Sequence, residues 1–220
     1  MENGKAHMKQ GQRPLTLVDY QRVFQVAHGI IVELGKNKAK SCVFFSMVGA
    51  FILKKHHGIQ ARSVAGSAYY KLDASDVVLA VADPTKNFES SSLEGGFHSW
   101  VETDKWCIDF TAPLFPEMMQ DAGSTSRCCR KMFQKSIASM AESPYALERA
   151  GDFFLDVDAE LTRELMNLNV ERNDVLDLLN IASTWYRKAP KAMSPEMSIM
   201  NDLGKVTRLS LDAPTIVGVW

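Results

Sequence analysis

Apolar positions along this chain change their spacing several times, and each change predicts an element. In LTLVDYQRVFQVAHGIIVELG, Val18, Val23, Val26, Ile30 and Ile31 recur near the helical period and the run stops at Gly35, which predicts an amphipathic helix over residues 16–35. The stretch CVFFSMVGAFILKKHHG is apolar on nearly every side, ends in two lysines and two histidines, and closes at Gly58, as a buried helix would. Short segments rich in Val, Tyr, Trp and Phe follow, ARSVAGSAYYKL, DVVLAVADP, FHSWVE and KWCIDFT, and these predict strands. Only Thr103 and Asp104 separate the last two, so a hairpin is expected there. From Ala112 onward Pro113, Pro116 and DAGSTS mark an irregular connector before helical spacing resumes. NDVLDLLNIASTWYRK puts Val175, Leu178, Leu179, Ala182, Trp185 and Tyr186 on one face and stops at Pro190. The terminal KVTRLSLDAPTIVGVW offers one or two further strands or a cover for the core.

Composition narrows this picture to an ordinary globular chain. Of 220 residues 46% are hydrophobic, and 25 basic side chains balance 26 acidic ones. Disordered and fibrous classes are excluded by that balance, and a single domain spanning 1–220 is expected. A chain of this length buries roughly 70% of its unfolded surface, so it supports a core without staples. Cys42, Cys107, Cys128 and Cys129 show neither zinc-ribbon nor CxxC spacing, and reduced thiols in a cytoplasmic protein are the expectation. Near-neutral charge and scattered basic residues argue against nucleic acid as a partner, and the lack of a long apolar run argues against membrane.

Chemistry enters with Cys42. It stands at the start of the apolar helix, where unpaired backbone N–H groups and the helix dipole favour thiolate; a small apolar core residue is the competing role. His98 begins a strand beside Phe97, Trp100 and Val101. Asp109 sits between Ile108 and Phe110, where an unpartnered carboxylate is costly. If the hairpin turns at Thr103 and Asp104, residues whose numbers sum to about 207 face each other, which brings Asp109 opposite His98 within about a residue. Thiol, imidazole and carboxylate make the nucleophile, base and orienter set of acyl transfer.

Two blocks extend this set into a family resemblance. SCVFFSMVGAFILKKHHGIQARSVAGSAY, with Gly58, Ile59, Ala61, Arg62, Val64 and Gly66, resembles the transglutaminase-like core signature, in which a nucleophilic Cys opens a helix ending in Gly-Ile before Ala-Arg-x-Val-x-Gly. FHSWVETDKWCIDFT is similar to the same family's His-x-Trp-Val-Glu and Ile-Asp-x-Thr strands, through His98, Trp100, Val101, Glu102, Trp106, Asp109 and Thr111. The resemblance spans Ser41 to Thr111, about 70 residues; Gln60 departs from the frequent Pro, and Cys107 fills an ordinary strand position. It implies an α+β, papain-like (transglutaminase-core) fold: a central helix bearing Cys42 packed on an antiparallel sheet bearing His98 and Asp109. The core is 41–111, flanked by the helix over 16–35 and a helical C-terminal elaboration over 112–220. It also groups the chain with uncharacterised bacterial families of papain-like proteins. The arylamine acetyltransferases share the Cys-His-Asp order but have an Arg-Gly-Gly-x-Cys lead-in, where this chain has Lys38-Ala39-Lys40-Ser41.

The activity implied is a cofactor-independent cysteine hydrolase acting on a peptide, protein or small amide or ester through a thioester, with Cys42, His98 and Asp109 as triad. Alternatives are acyl transfer to an amine on the same triad, and a binding module that keeps the fold without turnover. Gln21, Gln25 and Asn37 are candidates for the second oxyanion donor, and nothing in their spacing selects one. Arg62 and Gly66 are given structural roles, with Glu102 as a partner for Arg62. His56 and His57 sit where a helix dipole favours imidazolium, and no metal is assigned to them. Cys128 and Cys129, between Arg127 and Arg130, are expected at a helix start. An assembled site would place the Cys42 sulfur about 3.5–4 Å from an imidazole nitrogen of His98.

Overall fold

Thr16 opens the first helix by accepting a hydrogen bond from the Asp19 N–H at 3.1 Å and donating its hydroxyl to Asp19 Oδ2 at 2.9 Å, a side-chain cap of the usual kind. The structure is a computed structural model that describes residues 13–35, 41–75, 77–170 and 172–220. Asn37 and the Lys38 to Lys40 lead-in lie outside the described residues. Helix α1 is Leu17–Glu33 and α2 is Cys42–His57. Val23, Val26, Ile30 and Ile31 of α1 are buried as their spacing predicts, while Val18 is exposed. Gly58 ends α2 in the left-handed region at φ 65°, a conformation that costs other residues but not glycine.

Strands β1 (Arg62–Lys71), β2 (Val78–Val81), β3 (His98–Glu102) and β4 (Trp106–Asp109) follow in the predicted order. After helix α3 (Phe115–Asp121) come β5 (Phe133–Ser136) and β6 (Phe153–Val157), then helices α4 (Ala159–Val170) and α5 (Asn173–Trp185), and finally β7 (Glu196–Met200) and β8 (Val206–Ser210). The main sheet is antiparallel in the order β2-β1-β3-β4-β5, with β6 also paired to β1; β7 and β8 form a separate hairpin. The molecule is therefore α+β.

Several expectations change here. The segment 112–220 is not simply a helical elaboration, because β5 and β6 complete the sheet begun by residues 62–109. Phe133, Phe153 and Leu155 are buried beneath it, and burying them is what these short strands contribute. The last helix stops at Trp185, before Pro190. Cys128 and Cys129 lie in irregular chain rather than at a helix start.

Two large apolar clusters make up most of the interior, beside two small ones around Leu161 and Leu147. Of the large pair, one lies where α1, α2 and α5 cover Val101, Ile108 and Phe110; the other gathers Val64, Tyr70, Trp100, Phe115, Phe133 and Phe153. Between α2 and the sheet is a polar seam. Ser46 Oγ of α2 lies 2.6 Å from Ser63 Oγ of β1 and 2.7 Å from Ser99 Oγ of β3, and the carbonyl oxygens of Val43, 2.9 Å from Ser46 Oγ, and Val64, 2.8 Å from Ser99 Oγ, are alternative acceptors for the same hydroxyl protons. Each hydroxyl finds a partner, as burial of polar groups requires.

Candidate active site

Cys42 is the first residue of α2, and among the described residues no side-chain capping hydrogen bond closes that helix end. His98 is the first residue of β3, and Asp109 the last of β4. The β3–β4 hairpin pairs Val101 with Ile108 and Glu102 with Cys107, so facing residues sum to 209 rather than 207. Its tip is Asp104 and Lys105, closed by Thr103 N–H donating to Trp106 O at 3.0 Å. Moving the tip by one residue shifts the pairing by two, which keeps parity. Asp109 therefore faces Trp100 and lies diagonally from His98 on the same side of the sheet, within side-chain reach.

That diagonal is bridged directly: His98 Nε2 is 2.7 Å from Asp109 Oδ2, with both side chains 1% exposed. Thr111 N–H donates to Asp109 Oδ1 at 2.8 Å and Tyr70 Oη to Oδ2 at 2.8 Å, while Tyr20 Oη donates to the Asp109 backbone carbonyl. With Nε2 committed to the carboxylate, Nδ1 of His98 closes no hydrogen bond of ordinary geometry. Cys42 lies near enough to act on this imidazole both as hydrogen-bond partner and through its charge. Burial disfavours the charged imidazole, but the Asp109 carboxylate, and then Cys42, outweigh it and raise the His98 pKa to about 10. Cys42 itself is buried, 6% exposed.

Backbone packing holds His98 in place. It pairs with Gly66 of β1, which pairs on its other side with Val157 of β6. A Cβ on Gly66 would stand 1.9 Å from the Asp156 carbonyl oxygen, so β6 closes against β1 only because position 66 is bare. Asp83 organises the loop leading to β3, accepting from Thr85 N at 2.8 Å, Thr85 Oγ1 at 2.6 Å and Ser92 Oγ. Arg62 pairs with Glu102 at 3.0 Å, one of the partners open to each in the sequence.

Other candidates fall elsewhere. Gln21 turns to the C-terminal segment, its Oε1 accepting from Ile216 N at 2.8 Å and its Nε2 donating to Pro214 O at 3.3 Å; its amide is engaged away from Cys42. Gln25 has no hydrogen bond to the triad among the described residues. His56 and His57 sit at the far end of α2: His56 Nε2 is 2.9 Å from Ser183 Oγ, and His57 Nε2 is 2.7 Å from Tyr186 Oη, which donates to Asp19 Oδ1 at 3.3 Å. Their pKa values move down, contrary to the helix-dipole expectation, because burial and then nearby cations, Lys55 and Arg187 for His56 and Lys188 for His57, prevail; His57 falls to about 4. No group of metal-ligating side chains gathers among the described residues. All four cysteines are free thiols. Burial pushes Cys107 up to about 12 and Cys128 up to about 11, which leaves both protonated near neutrality.

Tyr70 and Tyr20 were not singled out by sequence reasoning. A signal existed for Tyr70, since a tyrosine on a buried strand requires a partner for its hydroxyl, but that partner is 39 positions away. The set puts a thiol beside an imidazole that a fixed carboxylate orients, the arrangement that proton transfer between sulfur and ring requires. Among the described residues, no helix is long and apolar enough to cross a membrane.

No curated protein gives a significant match to this chain. A solved crystal structure described only as "genomics APC5867" superposes with a TM-score of 0.85 at 30% sequence identity, covering 97% of this chain and 100% of that one. The two share a fold over essentially their whole lengths. A family profile matches residues 16–220, and the chain accordingly belongs to the DUF2026 family, described as a protein of unknown function.

Proposed function

We propose that this protein is a cysteine hydrolase acting on an amide or ester of a peptide, protein or small molecule, built on a papain-like, transglutaminase-core arrangement. The observation that carries this reading is the setting of His98: Nε2 is held by Asp109 at 2.7 Å, and Cys42, at a helix start, lies close enough to act on the same imidazole.

In the proposed reaction, His98 is already the imidazolium, with the proton of the Cys42 thiol resting on Nδ1, and Cys42 Sγ attacks the substrate carbonyl carbon. The oxyanion meets the first-turn N–H groups of α2. His98 returns the proton to the departing amine or alcohol, leaving an acyl group on Sγ as a thioester. Water, deprotonated by His98, then attacks the thioester, releasing the carboxylic acid and restoring the thiol. Asp109 keeps the ring in the tautomer and orientation that both transfers need.

Incubation with p-nitrophenyl acetate followed by mass spectrometry tests this. Acetylation confined to Cys42, with a burst of p-nitrophenol and subsequent turnover, is the expected result. Cys42→Ala should lose the burst and the turnover while retaining the native circular dichroism spectrum. Undiminished turnover in that variant overturns the assignment. Adding an amine acceptor separates hydrolysis from acyl transfer: amide product in place of acetate identifies a transferase.

A further inference from the structure

The Asp109 carboxylate has three donors and two oxygens, and they are unevenly divided. Thr111 N–H alone takes Oδ1 at 2.8 Å, whereas Oδ2 is shared by His98 Nε2 at 2.7 Å and Tyr70 Oη at 2.8 Å. We propose that Tyr70 is a positioning residue whose phenol, by sharing Oδ2 with His98, limits how strongly Asp109 holds the imidazole and fixes the plane of the carboxylate. This rests on the reading of Cys42 and His98 given above.

Two donors on one oxygen draw on the same electron density, so each weakens the other's bond, and the effect is largest where one partner is charged. Tyr70 suits the task because burial and the adjacent Asp109 charge push its hydroxyl well above the ordinary tyrosine range, so it stays a neutral donor. The titratable groups around the pair are few: Asp109 and Cys107 from β4, Cys42 from α2 and Tyr20 from α1. Trp100, Phe115 and Phe133 supply the remaining walls and carry no charge. Tyr20 gives an internal control, since its hydroxyl bonds the backbone carbonyl of the same Asp109 and not the carboxylate.

Tyr70→Phe removes one oxygen and keeps the ring. Oδ2 then has a single donor, its bond to His98 strengthens, and the imidazolium survives to higher pH. Iodoacetate reports this because its negative charge is drawn to the imidazolium, so alkylation of Cys42 slows once that charge is lost. The rate at Cys42, resolved by mass spectrometry from about pH 5 to about pH 11, should show its alkaline limb displaced upward by about half to one unit in Tyr70→Phe, and not displaced in Tyr20→Phe. Superimposable limbs in Tyr70→Phe and the parent overturn the proposal, and so does an equal displacement in Tyr20→Phe, which would mark general loosening. A parent protein in which Cys42 reacts no faster than Cys107 removes the site reading itself and is recognised before any variant is compared.

Discussion

The two ends of α2 carry histidine chemistry of opposite sign. At the N-terminal end His98 meets Asp109 at 2.7 Å, and its pKa rises; at the C-terminal end His57 meets the neutral Tyr186 hydroxyl at 2.7 Å, and its pKa falls to about 4. Burial opposes charge in both places, and the helix dipole would predict the reverse arrangement, since cations belong at helix C-termini. Contact with a carboxylate decides the outcome. His98 touches one, whereas Asp19 reaches His57 only through Tyr186, and Lys188 pushes the other way. A direct ion pair in a dry site outweighs both desolvation and the dipole.

The sharpest way to break this contrast is Asp109→Ala. It leaves a buried imidazole and two donors without their acceptor, and denaturant unfolding should show a loss of about 3–5 kcal/mol, whereas Cys42→Ala should cost far less. A loss no larger than that of Cys42→Ala would show that the pair contributes nothing beyond packing.

Proton linkage separates the two ends by pH. An unfolded chain protonates the residue at position 57 near 6.5, while the folded protein waits until about 4. Protons therefore favour unfolding in that window, and stability should fall as pH drops through it, by about 1–2 kcal/mol once partial exposure is discounted. His57→Gln should flatten that acid limb. His98 behaves oppositely: its contribution is complete below 6.5 and is lost as pH rises through about 10, so Asp109→Asn should flatten the alkaline limb alone. Thermal unfolding against pH in the three proteins reads both, and a common flattening in either variant would refute the separation. Ser183→Ala is the mildest probe, removing the hydroxyl 2.9 Å from His56 Nε2 at an expected cost of about 1 kcal/mol in chemical denaturation.

Legibility in the sequence tracks the range of the interactions involved. Helices α1 and α2 were readable because periodicity and the stops at Gly35 and Gly58 are local, and β1 to β4 because their apolar runs are bounded by turn residues. Strands β5 and β6 were not, since FQKS and FFLDV bury only part of their side chains and are strands because β4 and β1 receive them. Asp109 was placed beside His98 from hairpin logic despite a tip displaced by one residue, because a two-residue shift in pairing preserves the face. Tyr70 and the direction of the His57 shift were out of reach: one needs a partner on another strand, the other a cation, Lys188, just beyond the end of α5.

The serine seam has a mechanical meaning. Oxygen atoms in hydrogen bonds approach to under 3 Å, as Ser46 does to Ser63 and Ser99, whereas carbon atoms in contact stay about 3.5–4.0 Å apart. Three hydroxyls thus act as a thin shim, seating the helix that carries Cys42 nearer the strand that carries His98 than methyl groups would allow. A bulkier apolar residue at Ser46, one helical turn from Cys42, would lift the helix off the sheet and widen the sulfur–imidazole spacing without altering Cys42 or His98.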